Sequence, residues 1–318
     1  MLIFLTGFKV QCLYAFEVIR RAKKMAHIPQ LFGIVISFLV MCRVSSLDNF
    51  EDEAPKILYD SNENYFHIRA VRDVNLANSL WVNMDSIEKP SFDRVYQPSY
   101  DEKLATITRY LESLQLSFYF PFYGYFTEFV TLDVDGRIFM KKMLDYNEQC
   151  NSFVAPLATK LSFHREGSYI KYNDTGKSFV VQWGNVDLLF RNEEQNLNMQ
   201  VTLYENGTIQ FVYKQISTSV FALLRDGLIK DVTIGTSDSV EYDGNHSFPY
   251  GVIALRNRIN KDFDIKNGTV IVMSPLTTCN WFTSCELCAQ IRTDNFNCVW
   301  CPQLNRCSNY GIDRGVND

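Results

Sequence analysis

The sequence predicts a mainly β protein in which an antiparallel, sandwich-like sheet domain with a few helices is followed by a small disulfide-rich module. Apolar and polar residues alternate along the central region, and tight-turn residues recur there at short intervals. Six of the nine cysteines fall between Cys279 and Cys307. With 47% hydrophobic residues among 318, the composition excludes disorder, collagen and coiled coil for the chain as a whole.

Residues 1–46 are predicted to be a signal-peptide region. Leu31 to Cys42 is an apolar run that follows the basic residues Arg20 to Lys24, which is typical of a secretory signal. A membrane span needs about 20 apolar residues, so this run is short for one. A buried core helix is the alternative interpretation. Because Met25 directly precedes the run, residues 1–24 are interpreted as an upstream extension or a wrongly chosen start.

Cleavage near Ser46 makes the remaining chain strongly acidic. It removes six basic residues and one acidic residue, so the net charge of −5 becomes −10. So acidic a chain lacks the excess of basic residues that binding to nucleic acid or to an anionic membrane surface requires. Residues 47–64 are predicted to be an acidic, polar lead-in to the folded part.

Four Asn-x-Ser/Thr sequons become meaningful if the chain is secreted. We expect all four asparagines to be exposed and at least some to carry glycans, so that glycosidase digestion should lower the apparent mass. A plain hairpin turn is the alternative interpretation of the two that read Asn-Gly. The four are Asn173, Asn206, Asn245 and Asn267.

Residues 65–276 are predicted to form the sheet domain. Three pairs of alternating segments flank tight turns at residues 133–136, 173–176 and 205–207, which indicates three antiparallel hairpins. Tyr100 to Glu112 is the helix candidate, because Ser99 and Glu102 form a capping box and apolar residues line one face. The residues expected in or near the core are Phe118, Phe120, Val180 and Trp183.

No catalytic motif is found, so we predict a noncatalytic protein without a cofactor or metal. The histidines after residue 46 are far apart, and there is no nucleophile elbow or phosphate loop. Asp133 and Asp135 resemble the start of a calcium loop, but Leu144 stands where such a loop needs Glu. The aromatic run from Phe118 to Phe126 is interpreted as core packing. A glycan-binding module that uses these aromatics, and a hydrolase that uses a carboxylate pair, remain the alternative functions.

Residues 277–318 are predicted to be the disulfide-rich module. Six cysteines in so short a segment indicate covalent stabilisation, since hydrophobic burial alone cannot hold it. They allow 15 pairings. The spacings Cys285-x2-Cys288 and Cys298-x2-Cys301 also suit zinc, but an oxidising secretory compartment favours disulfides.

This segment resembles a PSI module, the small cysteine-rich unit of plexins, semaphorins and integrins. The resemblance is carried by Cys298-Val-Trp300-Cys301 together with Cys285-x-x-Cys288 and Cys307. It implies disulfides Cys279–Cys298 and Cys288–Cys307. It also implies that Cys285 and Cys301 are unpaired, because a PSI module usually has eight cysteines and the two partners would lie beyond Asp318. The module is therefore expected to be incomplete at its C-terminus, and the chain to be a truncated version of a longer protein.

The larger domain resembles the nidogen-like region of the plexin domain-containing proteins. Four segments carry this resemblance, at residues 116–124, 154–157, 179–183 and 234–238. It implies a receptor-like glycoprotein that recognises secreted or matrix protein ligands, such as pigment-epithelium-derived factor or nidogen. The implied location is the secretory pathway: the cell surface if a longer chain continues into a single membrane span, and otherwise the extracellular space. Cys150 has no counterpart in the family pattern.

Overall fold

The computed structural model of the protein describes residues 55–63, 65–86, 100–101, 106–107, 112–143, 151–163, 165–188, 196–216, 219–220, 232–242, 251–258, 263–291, 296–303 and 305–309. These residues belong to one unit of the chain, Pro55–Asp318. The signal-peptide region, Asn245 and Cys150 lie outside the described residues.

Strands dominate the described residues, and all of their pairings are antiparallel. In chain order the strands are β1 (Lys56–Glu63), β2 (Phe66–Arg72), β3 (Tyr100–Asp101), β4 (Thr106–Ile107), β5 (Glu112–Phe122), β6 (Tyr125–Asp133), β7 (Arg137–Phe139), β8 (Phe153–Ala158), β9 (Leu161–Ser162), β10 (Tyr169–Asp174), β11 (Ser178–Leu188), β12 (Leu197–Tyr204), β13 (Ile209–Gln215), β14 (Thr233–Tyr242), β15 (Gly251–Arg258), β16 (Thr269–Pro275), β17 (Cys298–Cys301) and β18 (Arg306–Asn309).

Two large sheets form a sandwich. The first has the order β1-β2-β16-β13-β12-β11-β10, with β9 paired to β11, and the second has the order β15-β14-β8-β7-β6-β5. One hydrophobic core joins them, because side chains of both sheets, such as Val181 and Val154, belong to the same buried cluster. The Tyr213 hydroxyl in β13 crosses between the sheets and donates a 2.6 Å hydrogen bond to the Pro156 carbonyl in β8. The predicted mainly β, sandwich-like fold is confirmed.

The residues expected in the core are found there. Phe120 and Trp183 are fully buried, Val180 is almost fully buried, and Phe118 packs partly buried against the same cluster. Phe118 and Phe120 fit the period-two pattern, whereas Val180 and Trp183 lie on opposite faces of β11, both of which are buried along this part of the strand.

The three predicted hairpins are also present. β6 and β7 flank the turn at 134–136, β10 and β11 flank the turn at 175–177, and β12 and β13 flank the turn at 205–208. In the first turn, the Asp133 carboxylate accepts a hydrogen bond from the Asp135 backbone N–H at 3.2 Å. The Asp133–Gly136 segment is therefore a hairpin turn within the second sheet.

The predicted helix between Tyr100 and Glu112 is wrong. Tyr100–Asp101 pairs with Thr106–Ile107 as the short strands β3 and β4, and Glu112 begins β5. A capping box describes only the first turn of a helix, whereas β-branched and aromatic residues such as Tyr100, Thr106 and Ile107 favour an extended chain.

Helix α1 (Val74–Leu80) was not predicted. Its N-cap is Asp73, whose carboxylate accepts a hydrogen bond from the Leu76 backbone N–H at 3.0 Å. Ala77 packs against Val212 and Val270 on the face of the first sheet that lies away from the main core. The helix has only 7 residues, which is too short for a clear 3.6-residue period.

The first sheet begins before residue 65. Residues 56–63, within the predicted polar lead-in, form edge strand β1 and pair with β2. No residue of β1 is fully buried, so the strand lacks the alternation that identifies half-buried strands.

The cysteine-rich segment has a small buried cluster of its own. It contains a 3₁₀ turn at Cys279–Trp281, helix α2 (Cys285–Gln290) and the hairpin β17–β18. The buried cluster consists of three cysteines, Cys279, Cys288 and Cys307, and one aromatic residue, Phe296. Among the helices that the structure describes, none has the length and apolar character needed to span a bilayer.

Candidate functional site

An apolar groove lies where the sheet domain meets the cysteine-rich segment. Its volume is about 230 Å³. The tip of the β5–β6 hairpin, the start of β2, the end of β16 and the 3₁₀ turn together form its walls. We call it the junction groove, and its lining residues are Tyr65, Phe66, Pro121, Tyr123, Gly124, Tyr125, Phe126, Pro275, Leu276, Thr278, Asn280, Trp281 and Thr283.

The β5–β6 turn holds a tyrosine, Tyr123, in an uncommon backbone conformation. Phe122 pairs with Tyr125 across a two-residue loop, and both loop residues have positive φ, 49° at Tyr123 and 85° at Gly124. These are the φ signs of a type I′ hairpin turn, which favours Asn or Gly at its first position. A tyrosine there costs on the order of 1–2 kcal/mol.

The packing of Tyr123 explains why its conformation is tolerated. Its ring is almost fully buried and makes edge contacts with Phe122 and Phe66, at centroid distances of 4.7 and 5.4 Å. Its hydroxyl is 2.8 Å from that of Thr236 in β14. Burying a large aromatic ring contributes about 3–5 kcal/mol, judged from truncations to alanine, which exceeds the backbone cost.

Tyr65 connects the sheet domain to the cysteine-rich segment. Its ring centroid is 4.9 Å from that of Tyr123 and 4.8 Å from that of Phe296. Its carbonyl accepts a 2.8 Å hydrogen bond from the Leu276 backbone N–H, just after β16. Tyr65, which lines the groove, therefore contacts both the sheet domain and the cysteine-rich segment.

The second wall of the groove makes close contact with the hairpin turn. The Asn280 side-chain amide donates a hydrogen bond to the Gly124 carbonyl. A Cβ atom at position 124 would lie 3.2 Å from Asn280 Nδ2 and 3.5 Å from Thr278 Oγ1. Only glycine combines this close approach with a positive φ at low cost.

Two large apolar rings at the groove are exposed. Trp281 is 57% and Phe126 66% accessible to solvent. Among the described residues that line the groove, none carries a carboxylate, imidazole, thiol, ammonium or guanidinium group. Aromatic rings of this kind, next to a preformed concave surface, are typical anchors of protein recognition and also suit stacking on sugars.

A family model described as NIDO-related, that is nidogen-related, matches residues 92–256, which is more than half of the chain. The chain belongs to the nidogen-related family. The family match starts before β3 and ends within β15. No solved structure matches the chain.

The nidogen-related match covers one side of the junction groove. Pro121 to Phe126 lie inside the matched residues, whereas Tyr65, Phe66 and the residues from Pro275 to Thr283 lie outside them. A nidogen-related domain is an extracellular matrix-type domain, and together with two disulfides it indicates an extracellular or secretory location.

Two disulfides follow the nidogen-related domain. Cys279 is bonded to Cys298 and Cys288 to Cys307, which are the two pairs that the resemblance implies. Cys285 and Cys301 have free thiols, with Cys285 exposed and Cys301 partly buried. Neither free thiol lines the junction groove.

The three sequon asparagines that the structure describes lie in three different elements. Asn206 and Asn267 are exposed in turns that precede β13 and β16. Asn173, in β10, is partly buried, so the expectation of full exposure is wrong for it. Strand β10 is the last strand in the order of the first sheet, and Asn173 pairs there with Val180 of β11, so neighbouring residues partly cover its side chain.

The tyrosines of the aromatic run have different surroundings. Tyr123 is buried, Tyr125 is partly buried, and Tyr119 is 65% exposed. The interpretation of this run as core packing therefore holds for Tyr123 and fails for Tyr119. Sequence reasoning also did not find Trp281 as a site residue, because its importance depends on the hairpin that lies next to it in the fold.

Burial raises the pKa of three tyrosines outside the groove. Tyr213 is fully enclosed, and desolvation raises its pKa well above 10.0. Desolvation also raises the pKa of Tyr204. At Tyr169, desolvation and then the Asp85 carboxylate raise the pKa, while a hydrogen bond from Gln182 opposes them.

Proposed function

We propose that this protein is a noncatalytic extracellular or cell-surface glycoprotein of the plexin domain-containing type, which recognises secreted or matrix protein ligands. The nidogen-related domain and the two disulfides support an extracellular role. The cysteine spacing and pairing support a PSI module after that domain.

The observation that carries the proposal is the junction groove with its two exposed aromatic rings. Exposing an apolar ring to water is unfavourable by roughly 25 cal/mol per Å² of apolar surface. Two such rings at one groove therefore favour a role in binding. Because the described lining is uncharged, the groove suits an apolar, uncharged segment of a protein ligand.

Direct binding measurements with matched variants test this function. The chain, expressed by a secreting mammalian cell, is tested against immobilised nidogen and pigment-epithelium-derived factor, which the family resemblance implies as ligands. The test variant is Phe126→Ser with Trp281→Ser. The control is Ile57→Ser, because Ile57 is 55% exposed but lies at the opposite end of the β1–β2 pair from Phe66.

We expect at least one of these proteins to bind the unmodified chain and the control with similar affinity. The double variant should bind at least about tenfold more weakly, as is usual when recognition anchors are removed. Failure of both proteins to bind, or equal binding by all three forms, would contradict the proposal.

Glycan recognition is the second candidate function, because the exposed rings of Trp281 and Phe126 also suit stacking on a sugar. The same three forms can be applied to a glycan array. Binding to defined glycans that the double variant loses, without binding to either protein ligand, would favour this candidate.

A further inference from the structure

We propose that an N-linked glycan on Asn206 packs over the Pro121–Phe126 side of the junction groove and limits the access of ligands to it. This inference rests on the proposed function, since it assigns a regulatory modification to the same groove. It concerns the sequon at Asn206, and it predicts that a glycan on Asn267 lacks this role.

The local structure of Asn206 suits glycan attachment. Asn206 is exposed in the turn between β12 and β13, at the first position of the sequon Asn206-Gly207-Thr208. Its side-chain oxygen accepts a 3.0 Å hydrogen bond from the Thr208 backbone N–H. A glycan is attached to the side-chain nitrogen, so this hydrogen bond orients the amide without occupying the attachment atom.

The same turn lies directly against the groove wall. A Cβ atom at Gly207 would lie 2.9 Å from Cγ of Pro121 and 3.1 Å from Cγ of Pro275. Both prolines line the junction groove. Asn206 is the residue before Gly207, so its Cα is about 3.8 Å from the Cα of Gly207.

Phe126 is the next apolar group beyond Pro121. The two are register partners in β5 and β6, and directly opposed residues project to the same face with Cβ atoms about 4.5–5.5 Å apart. The core of an N-linked glycan is several sugar rings long, so a glycan that leaves Asn206 can extend from Pro121 to the exposed ring of Phe126.

The chemistry of the surface favours this packing. The C–H faces of sugar rings are apolar, and they pack well against proline and aromatic rings. The described lining has no charged side chain that would require hydration. Covering Phe126, which is 66% exposed, removes apolar surface from water.

Asn267 provides a matched comparison. It is also exposed, and its side-chain oxygen also accepts a backbone hydrogen bond, from Ile216 at 2.5 Å. It precedes the first residue of β16, whereas Pro275 is the last residue of that strand. At about 3.3 Å per residue, the two ends of β16 are roughly 20 Å apart. A glycan on Asn267 therefore begins at the opposite end of the sheet from the groove.

The first experiment examines the glycans themselves. The full chain and its Phe126→Ala variant are expressed in mammalian cells, and site-specific glycopeptide mass spectrometry compares Asn206 with Asn267. We expect Asn206 to be occupied and its glycan to be less processed than that on Asn267, because packing shields it from processing enzymes. In the Phe126→Ala variant, processing should increase at Asn206 and stay unchanged at Asn267.

The second experiment measures the surface that the glycan covers. Asn206→Asp and Asn267→Asp each remove one glycan and keep a side-chain oxygen for the local hydrogen bond. We expect an apolar fluorescent dye to gain fluorescence with Asn206→Asp, and this gain to disappear when Phe126→Ala is added. Asn267→Asp should show no gain.

An unoccupied Asn206, equal processing at the two sites, or equal dye fluorescence in the two Asp variants would each overturn the inference. None of these readouts uses a ligand. A chain that shows the glycan effects but binds neither nidogen nor pigment-epithelium-derived factor would therefore contradict the proposed function alone.

Discussion

The ring of Tyr65 lies against the ring of Phe296, with centroids 4.8 Å apart and ring planes inclined at 60°. Tyr65 leads into strand β2 of the sandwich, whereas Phe296 belongs to the disulfide-bonded cluster. Because the same tyrosine ring also contacts Tyr123 at 4.9 Å, one side chain couples the β5–β6 turn to the cysteine-rich segment.

A double-mutant cycle should detect this coupling. Tyr65→Leu and Phe296→Leu each remove the ring contact, so the two changes should be non-additive by about 0.5–1.5 kcal/mol in the free energy of unfolding. Chemical denaturation measures this quantity. The control cycle combines Tyr65→Leu with Phe179→Leu, since the ring partner of Phe179 is Tyr172 in the sandwich. Additive effects in both cycles would show that Tyr65 does not couple the two parts.

Gly124→Ala should destabilise the junction more than a comparable substitution elsewhere. Gly124 and Gly176 have φ of 85° and 80°, so alanine incurs a similar backbone cost of about 1–2 kcal/mol at both. A Cβ at position 124 would make a tight contact of 3.2 Å with Asn280 Nδ2, whereas at 176 it would meet nothing within 4 Å. We expect the free energy of unfolding to fall further for Gly124→Ala than for Gly176→Ala. Equal losses would show that the Asn280 side chain moves aside without a measurable loss of stability.

The sandwich could be predicted from sequence because its strands carry local signals. β11 and β12 bury most of their residues, and the turns around Asp133, Asp174 and Asn206 have typical hairpin residues. Strand β1 and helix α1 were missed because one is mainly exposed and the other is short. Local patterns therefore identify elements whose residues are buried either periodically or almost continuously along the strand.

The junction groove could not be predicted in the same way. Gly124 and Asn280 are separated by 156 positions in sequence, and no local pattern indicates that they meet. The exposed ring of Phe126 lies in a strand whose alternation indicates only a sheet. Its role depends on the approach of the segment from Pro275 to Trp281, which is a property of the tertiary fold.

Removing a disulfide should unfold the cysteine-rich segment while the sandwich persists. Replacing Cys279 and Cys298 by alanine opens a loop with a sequence separation of 19, which is worth about 3 kcal/mol. The local core has few other buried groups to compensate. Hydrogen exchange should accelerate between residues 279 and 309 and stay slow in β11 to β13. Replacing the free Cys285 and Cys301 by alanine is the control, and it should change stability by less than about 0.5 kcal/mol.

The free energy of unfolding should decrease at alkaline pH because of Tyr213. Burial raises its pKa well above 10.0, so the folded chain keeps this proton when the unfolded chain loses it. The stabilisation is therefore complete below about pH 10 and falls above it, by up to about 1.4 kcal/mol per pH unit.

Tyr213→Phe removes the hydrogen bond to Pro156 at a cost of roughly 1 kcal/mol and should make the alkaline decrease shallower. Urea unfolding at pH values on both sides of 10 measures both effects. Tyr119→Phe, at an exposed position, should change neutral-pH stability by less than about 0.5 kcal/mol. If the Tyr213→Phe variant retains the full alkaline decrease, then other groups cause it, among which Tyr169 and Tyr204 also have a raised pKa.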